Sequence, residues 1–514
     1  MGKEITISSS SINGLIATYI AIPFFIFIIG WLKLPLASLL AVGLLFLLRA
    51  TICVENNTNK KNQVHISGSN LLLLLLLVVL LGWLVGFGGY FYQTWDNHYR
   101  NAIFRDLITH DWPVFYESDG SALVYYIGQW MFPALVGKFL GWEAANMVLF
   151  IWNCLGIVLL LLTISVNLRK TSSMNIISIF SILVFWGGLH LLGTWLGNVI
   201  SPIKYGFMGT GDGWTGMLIV PGYQYSANLT VLQWVYNQGI VPWLVCSIVF
   251  FSRNIQVLGF YCFCSLLFAP LPFIGFFVVL CPYVIVNLSL AKLEHRSSEY
   301  LKQLFSVVNV GSFLFICIPL VLYYFSNSVS NSEQGITGFG WYVPPEDFLN
   351  IDRLGTYLIF CLLEFGIFGL ILFPVYKKSI LFKISLFSLF IYPLFRIGIS
   401  ADFCMRASIP ALFILMLYAM RYLLEGDIER FTSRKCILII TITIAGYNVV
   451  GGLGLCLQDM IGKNKFPYRA DDVGTLENYP LGKMGDKLGF LPNFNFNFTS
   501  SVPEEKFFFR YLAK

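Results

Sequence analysis

Charge is what this chain has least of. Asp, Glu, Lys and Arg make up 12% of its 514 residues, about half the share of an ordinary soluble domain. A fully solvated surface cannot be built on so few charges, which excludes a soluble globular protein. Metal-binding and redox cysteine spacings are missing as well. Eleven Cys occur, none as Cys-x-x-Cys, and most lie inside apolar runs (Cys154, Cys246, Cys281, Cys317, Cys361), where they read as small apolar residues. Cys262-Phe263-Cys264 is likewise inside such a run. The chain has no internal repeat. It also has no small-residue cleavage pattern after its first apolar run, which is therefore read as retained.

Apolar residues are abundant: 57% of the chain, with a mean hydropathy of +0.73. Apolar runs near the ~20 residues that cross a bilayer recur from end to end. This predicts an all-α polytopic membrane protein. The net charge of +6 calls for no nucleic acid, because Lys and Arg sit mostly in short loops, where they set topology. About thirteen spans are expected: 14–32, 34–48, 70–92, 146–166, 174–193, 239–251, 256–270, 273–290, 304–325, 354–375, 380–397, 407–424 and 436–456. Leu71 to Leu77 in the third is plain lipid-facing bulk.

Basic residues assign the sides. With the N-terminus and 49–69 inside, the third span exits and the stretch after it is outside. Residues 121–140 then decide the rest. If they cross, Arg169-Lys170 and every later basic loop flip outward. If they lie on the outer surface as an interfacial helix, Lys377-Lys378, Arg434-Lys435 and the others all fall inside. Tyr125, Tyr126, Trp130 and Trp142 suit an interface, and the interfacial reading is adopted. The transmembrane domain is then 1–456, with outer loops 93–145, 197–234, 326–352 and 398–406, and 457–514 is an outer tail. The varied loops are all extracytoplasmic, so the site is expected there too.

The longest polar interruption in the first third is Trp95-Asp96-Asn97-His98-Tyr99-Arg100, running on through His110-Asp111-Trp112-Pro113 to Tyr125-Tyr126. Tyr99, Ile103, Leu107 and Phe104, Ile108 fall at helical spacing. Asp96 reads as a general base, as a helix cap, or as the partner of Arg100 at i+4. Asp111 reads as a second acid or as a turn residue. No cofactor is required. A divalent cation between the two acids and His98 or His110 stays open, although their spacings match no metal pattern. Gly209 to Gly216 is Gly-rich but has no Lys-Ser/Thr partner, so it is not a phosphate loop. It is expected to be a flexible outer loop in which Asp212 meets substrate. Arg396, Asp402 and Arg406 flank one outer turn, where arginine suits phosphate and Asp402–Arg406 also suits a structural i, i+4 pair. His190 reads as a packed histidine. Glu364 is an isolated intramembrane acid, a proton site or a helix–helix bond, with no partner visible in the sequence.

The order Asp96-Asn97-His98-Tyr99-Arg100, helix to Ile108, His110-Asp111-Trp112, Leu123-Val124-Tyr125-Tyr126 and Lys138-Phe139-Leu140-Gly141 resembles the first outer loop of the GT-C membrane glycosyltransferases. The nearest likeness is to the aminoarabinose transferase and protein mannosyltransferase branch. It covers residues 95–145, and Asn97 stands where that family usually has a second acid. The resemblance implies a GT-C-like bundle with interfacial helices in the first loop, seated in a plasma membrane such as the bacterial inner membrane. It implies a polyprenyl-phosphate-linked sugar donor and a glycan, lipid or protein acceptor. Asp96 and Asp111 would then be the catalytic acids. His98, Arg100, Tyr125, Tyr126, Asp212 and Asp402 would line the substrate site, and Lys204, Arg396 or Arg406 would hold the lipid phosphate. Two other classes compete: a lipid-linked glycan polymerase or ligase, which leans on outer-loop arginines, and a transporter or flippase, which leans on Glu364.

Overall fold

The computed structural model describes residues 4–514 except 59–62, 95, 201–211, 220–221, 329–338, 344–349, 398–400, 426–431, 464–473 and 477–496. It is all-α, with ten helices among the described residues long and apolar enough to cross a membrane, and with three shorter apolar helices, Gly68–Leu84, Ile255–Ser265 and Ile380–Leu394. Each of the thirteen expected runs falls on one of these. The chain is therefore an integral membrane protein.

Two antiparallel strands, β1 (Glu4–Ser8) and β2 (Gln63–Ser67), close the N-terminal end of the bundle. Between them α1 (Ser9–Trp31) runs out and α2 (Leu34–Thr58) runs back. From β2, α3 (Gly68–Leu84) runs out again. The return leg is the second part of α5 (Gly128–Leu168), which ends beside the start of α3: the Asn70 amide donates to the Thr171 carbonyl (2.8 Å) and the Ser173 hydroxyl to Asn70 Oδ1 (2.7 Å). Arg169 and Lys170 thus share an end with β1 and β2, and everything from residue 85 to 141 makes no net crossing.

Within that stretch, helix 128–140 turns back at Gly141, where φ is +83°. It folds along the helix that follows it, with Phe132 against Trp152 (4.9 Å between ring centroids). The expectation of an outer-surface helix needs correcting here. Of the four aromatics assigned to an interface belt, Tyr125 and Trp130 are buried, Tyr126 and Trp142 pack half-buried against the core, and the Trp130 indole donates to the Tyr236 hydroxyl (3.0 Å). Amphipathic rings with a polar tip serve a buried hydrogen bond as well as a lipid headgroup, and composition cannot tell the two apart.

Three spans differ from their expected lengths for identifiable reasons. The third ends at Leu84, because Gly86, Gly88 and Gly89 all take positive φ and a Cβ at Gly88 would lie 2.6 Å from the Asn146 carbonyl oxygen. The 174–193 run is broken into α6 (Ser173–Phe185) and α7 (His190–Ile200) across Trp186-Gly187-Gly188-Leu189. The freed backbone groups are satisfied by neighbours: Asn228 N–H donates to the Trp186 carbonyl and Leu189 N–H to the Leu363 carbonyl. The third is α8 (Asn228–Phe251), which starts eleven residues before the expected 239 and is irregular at Val235 (φ −144°, ψ 40°).

The 457–514 tail, where described, is tied down. Strand β6 (Thr499–Ser500) pairs with β3 (Ala122–Leu123). Lys33 N–H donates to the Leu512 carbonyl, and Phe508 packs against Phe27 and Tyr323. The end of the chain thus closes over the α1–α2 turn and the first loop.

Candidate functional site

Asp96 opens α4 (Asp96–Thr109), the helix predicted by the 3.6-residue spacing of Tyr99, Ile103 and Leu107. Its N-terminus is fixed against the irregular turn of α8. Beside the irregular Val235, the carbonyls of Gln233 and Trp234 accept from outside the helix. Thr94 Oγ1 (3.0 Å) and the Asn97 amide (2.9 Å) donate to Gln233, and Arg100 Nη1 donates to Trp234. Arg100 Nη2 also reaches Asp96 Oδ2 at 3.2 Å. The guanidinium is buried, while the carboxylate keeps 31% of its side-chain surface exposed.

A second pair of the same build faces it. Asp402 opens the Asp402–Leu424 helix, and Arg406, one turn on, holds its Oδ1 at 3.2 Å. Again the arginine is the more buried partner (14% against 40%). Between the pairs lie Tyr125 and Tyr126, rings 3.7 Å apart, and Arg406 Nη1 donates to the Tyr126 hydroxyl at 3.4 Å. Arg100 is within electrostatic reach of Tyr125, Asp96, Tyr126 and Arg406. Burial pushes the Tyr125 phenol well up, with Tyr126 adding to the effect, so Tyr125 is a neutral hydrogen-bond donor at ordinary pH. Burial opposes the charge of Arg100, but Tyr125, Asp96 and Tyr126 outweigh it and its pKa rises.

Segments some 300 residues apart thus assemble two guanidiniums, two carboxylates and two phenols. The Nε atoms of Arg100 and Arg406 are buried and have no partner among the described residues. A buried N–H left without an acceptor costs about 1–3 kcal/mol, so the cluster favours an anionic ligand with several acceptor oxygens.

The other expected site residues are placed as follows. His98 is half-buried in the first turn of α4 beside Asp96. Asp111 is exposed at the far end of that helix, roughly 20 Å from Asp96 at 1.5 Å per residue. The two acids cannot work on one bond, and the pairing of Asp96 with Asp111 is corrected to the pairing of Asp96 with Arg100. Arg396 lies on β5 (Phe395–Ile397), paired with β4 (Phe339–Trp341). Lys204 lies outside the described residues. Among the described residues no group of three or more His, Cys, Asp or Glu is placed to hold a metal ion.

Asp212 is not in a loop open to substrate. It is buried, its Oδ1 is 3.4 Å from His190 Nε2, and its Oδ2 accepts from Ala227 N–H (3.0 Å). His190 Nδ1 is 3.0 Å from Glu364 Oε1, which also accepts from the Trp214 indole (2.7 Å). This second cluster joins residues that no sequence spacing relates. The signal that could have found it was Gly187-Gly188 beside His190 in an otherwise apolar span: small residues there leave room for a partner, and a Cβ at Gly188 would sit 1.8 Å from Glu364 Oε2.

Compared with known proteins, the chain matches no family model, no curated protein and no solved structure.

Proposed function

We propose that this chain is a membrane glycosyltransferase of the GT-C type, moving a sugar from a polyprenyl-phosphate-linked donor to a glycan, lipid or protein acceptor. The observation that carries the reading is the convergence of Asp96–Arg100 and Asp402–Arg406 across Tyr125 and Tyr126. The distribution of Lys and Arg supports placing this end of the bundle on the extracytoplasmic face, and the GT-C likeness suggests a plasma membrane such as the bacterial inner membrane.

In this mechanism Asp96 gives Arg100 one oxygen, Oδ2, and keeps Oδ1 for the acceptor. It takes the acceptor's proton as the acceptor oxygen or nitrogen attacks the anomeric carbon. The bond to the lipid phosphate breaks, and Arg406 and Arg100 neutralise the charge that develops on the departing phosphate. Tyr126, held by Arg406, and the neutral Tyr125 supply further donors. Direct attack inverts the anomeric centre.

The test is mass spectrometry of the host's polyprenyl-phosphate lipids in wild type, a deletion strain, and Asp96→Asn at matched expression. One lipid-linked sugar accumulating in both mutant strains supports the reading and names the sugar. A lipid that accumulates in the deletion but is cleared by Asp96→Asn moves the polymerase or ligase reading ahead.

A transporter is the second reading, and one observation favours it: the helix broken at residues 186–189 beside a buried His190–Glu364 pair. Loss of function in Glu364→Gln with function kept in Asp96→Asn would decide for it.

A further inference from the structure

The His190 cluster shares no side chain with the candidate site, and the two are linked through Ala227, Gln224 and Cys404. The imidazole lies between two carboxylates, with Glu364 on Nδ1 and Asp212 on Nε2, and all three side chains have no more than 2% exposure. A neutral imidazole has one N–H and can face only one carboxylate as a donor. The imidazolium has two. Glu364 and Asp212 each have one further donor, the Trp214 indole and Ala227 N–H, but neither of these brings a charge. A doubly protonated His190, 3.0 Å from one carboxylate and 3.4 Å from the other, is the counter-charge that this dry interior places between them. A metal does not suit it, because the ring stands between the acids and no single point is within ligand reach of both acids and a ring nitrogen.

From here the contacts lead to Arg406. Asp212 accepts from Ala227 N–H, which joins residues 212–219 to residues 222–227. The Thr215 hydroxyl donates to the Tyr223 carbonyl and closes the stretch on itself. Trp214, Tyr223 and Tyr225 are buried in it, and the Tyr225 hydroxyl donates to the Leu389 carbonyl at 2.5 Å. Between these anchors, the Gln224 carbonyl accepts from the Cys404 thiol at 3.3 Å. Cys404 stands midway between Asp402 and Arg406 on the same turn of helix.

We propose that His190, Glu364 and Asp212 form a buried ionic clamp that seats residues 212–219 and 222–227 against the start of the Asp402–Leu424 helix and so positions Arg406. His190 is then a positioning residue. The clamp rests on the transferase reading only for its effect on turnover, because its structural effect is measured without substrate.

The experiment is hydrogen exchange read by mass spectrometry on the purified full chain, following peptides over 222–227 and 402–408. Three proteins are compared: wild type, His190→Gln, and the double variant His190→Gln with Glu364→Gln. The single variant leaves two buried carboxylates without a counter-charge, and exchange in both peptides is expected to quicken about a hundredfold. The double variant removes one of those charges and is expected to recover about tenfold of that loss despite carrying one substitution more. A single variant too unstable to purify beside a double variant that folds supports the clamp equally. A double variant no better than the single, or two variants that both fail to fold, overturns it, since no charge rescue is then seen. Faster exchange at 222–227 with 402–408 unchanged also overturns it, because the link to Arg406 is then missing.

If the exchange pattern holds while Asp96→Asn accumulates no lipid-linked sugar, the clamp stands and the transferase reading falls. If the transferase reading holds, the double variant is expected to raise KM for the lipid donor more than it lowers kcat, as suits a misplaced phosphate ligand.

Discussion

The two charge clusters of this protein are built by opposite rules. In Asp96–Arg100 and Asp402–Arg406 the guanidiniums are the more buried partners and the carboxylates reach toward solvent. In His190–Glu364–Asp212 nothing reaches solvent. A half-exposed ion pair contributes little to stability because water screens it and competes for it. A wholly buried one is costly to break, because the partner left behind is an unpaired charge in an apolar medium. The first cluster can exchange partners with a ligand, and the second can only hold its place. The difference shows how a membrane protein with few charges keeps some of them within reach of solvent and seals others in its interior.

The contrast can be broken most sharply at His190. His190→Ala should lower unfolding stability by about 3–5 kcal/mol, read as a fall in the thermal midpoint of the purified protein. A loss under about 1 kcal/mol would show that the cluster is not the ion pair drawn here. Gly188→Ala tests the same cluster by volume. The added methyl meets Glu364 Oε2, and a loss of about 1–3 kcal/mol is expected from overpacking. Arg100→Lys sits between the two regimes. It keeps the charge but loses the fork that reaches both Trp234 and Asp96, and should cost about 1.5–3 kcal/mol. Asp96→Asn sharpens the comparison from the other side. Its stability should change by less than about 1 kcal/mol, while turnover under the transferase reading falls by about 10²–10⁴. A variant equally stable and equally active would return Asp96 to the role of a helix cap.

Much of the fold was legible in the residues. The apolar runs mark the helices, and the basic loops predicted that the stretch around 121–140 adds no crossing, a parity that the bond between Asn70 and Thr171 exhibits. The helix after Asp96 and both i, i+4 ion pairs followed from spacing alone. What could not be read were the places where the backbone departs from regularity. Val235 gives no warning of the irregular turn that receives Arg100, because the reason lies in Thr94 and Asn97 of another segment. The tail was read only as an outer segment, and the order of its described end comes from pairing with residues near 122 and 33.

By itself the sequence determined the class of the molecule, an integral membrane bundle, and the helices and i, i+4 pairs within it, because hydrophobic length and helical spacing act locally and need no partner. Only the tertiary structure decided which charges meet. Arg406 joins Tyr126 across 280 residues, and Glu364 finds His190 where no spacing connects them. Ion pairing depends on distance through space, and in a bundle of many helices that distance is fixed by packing.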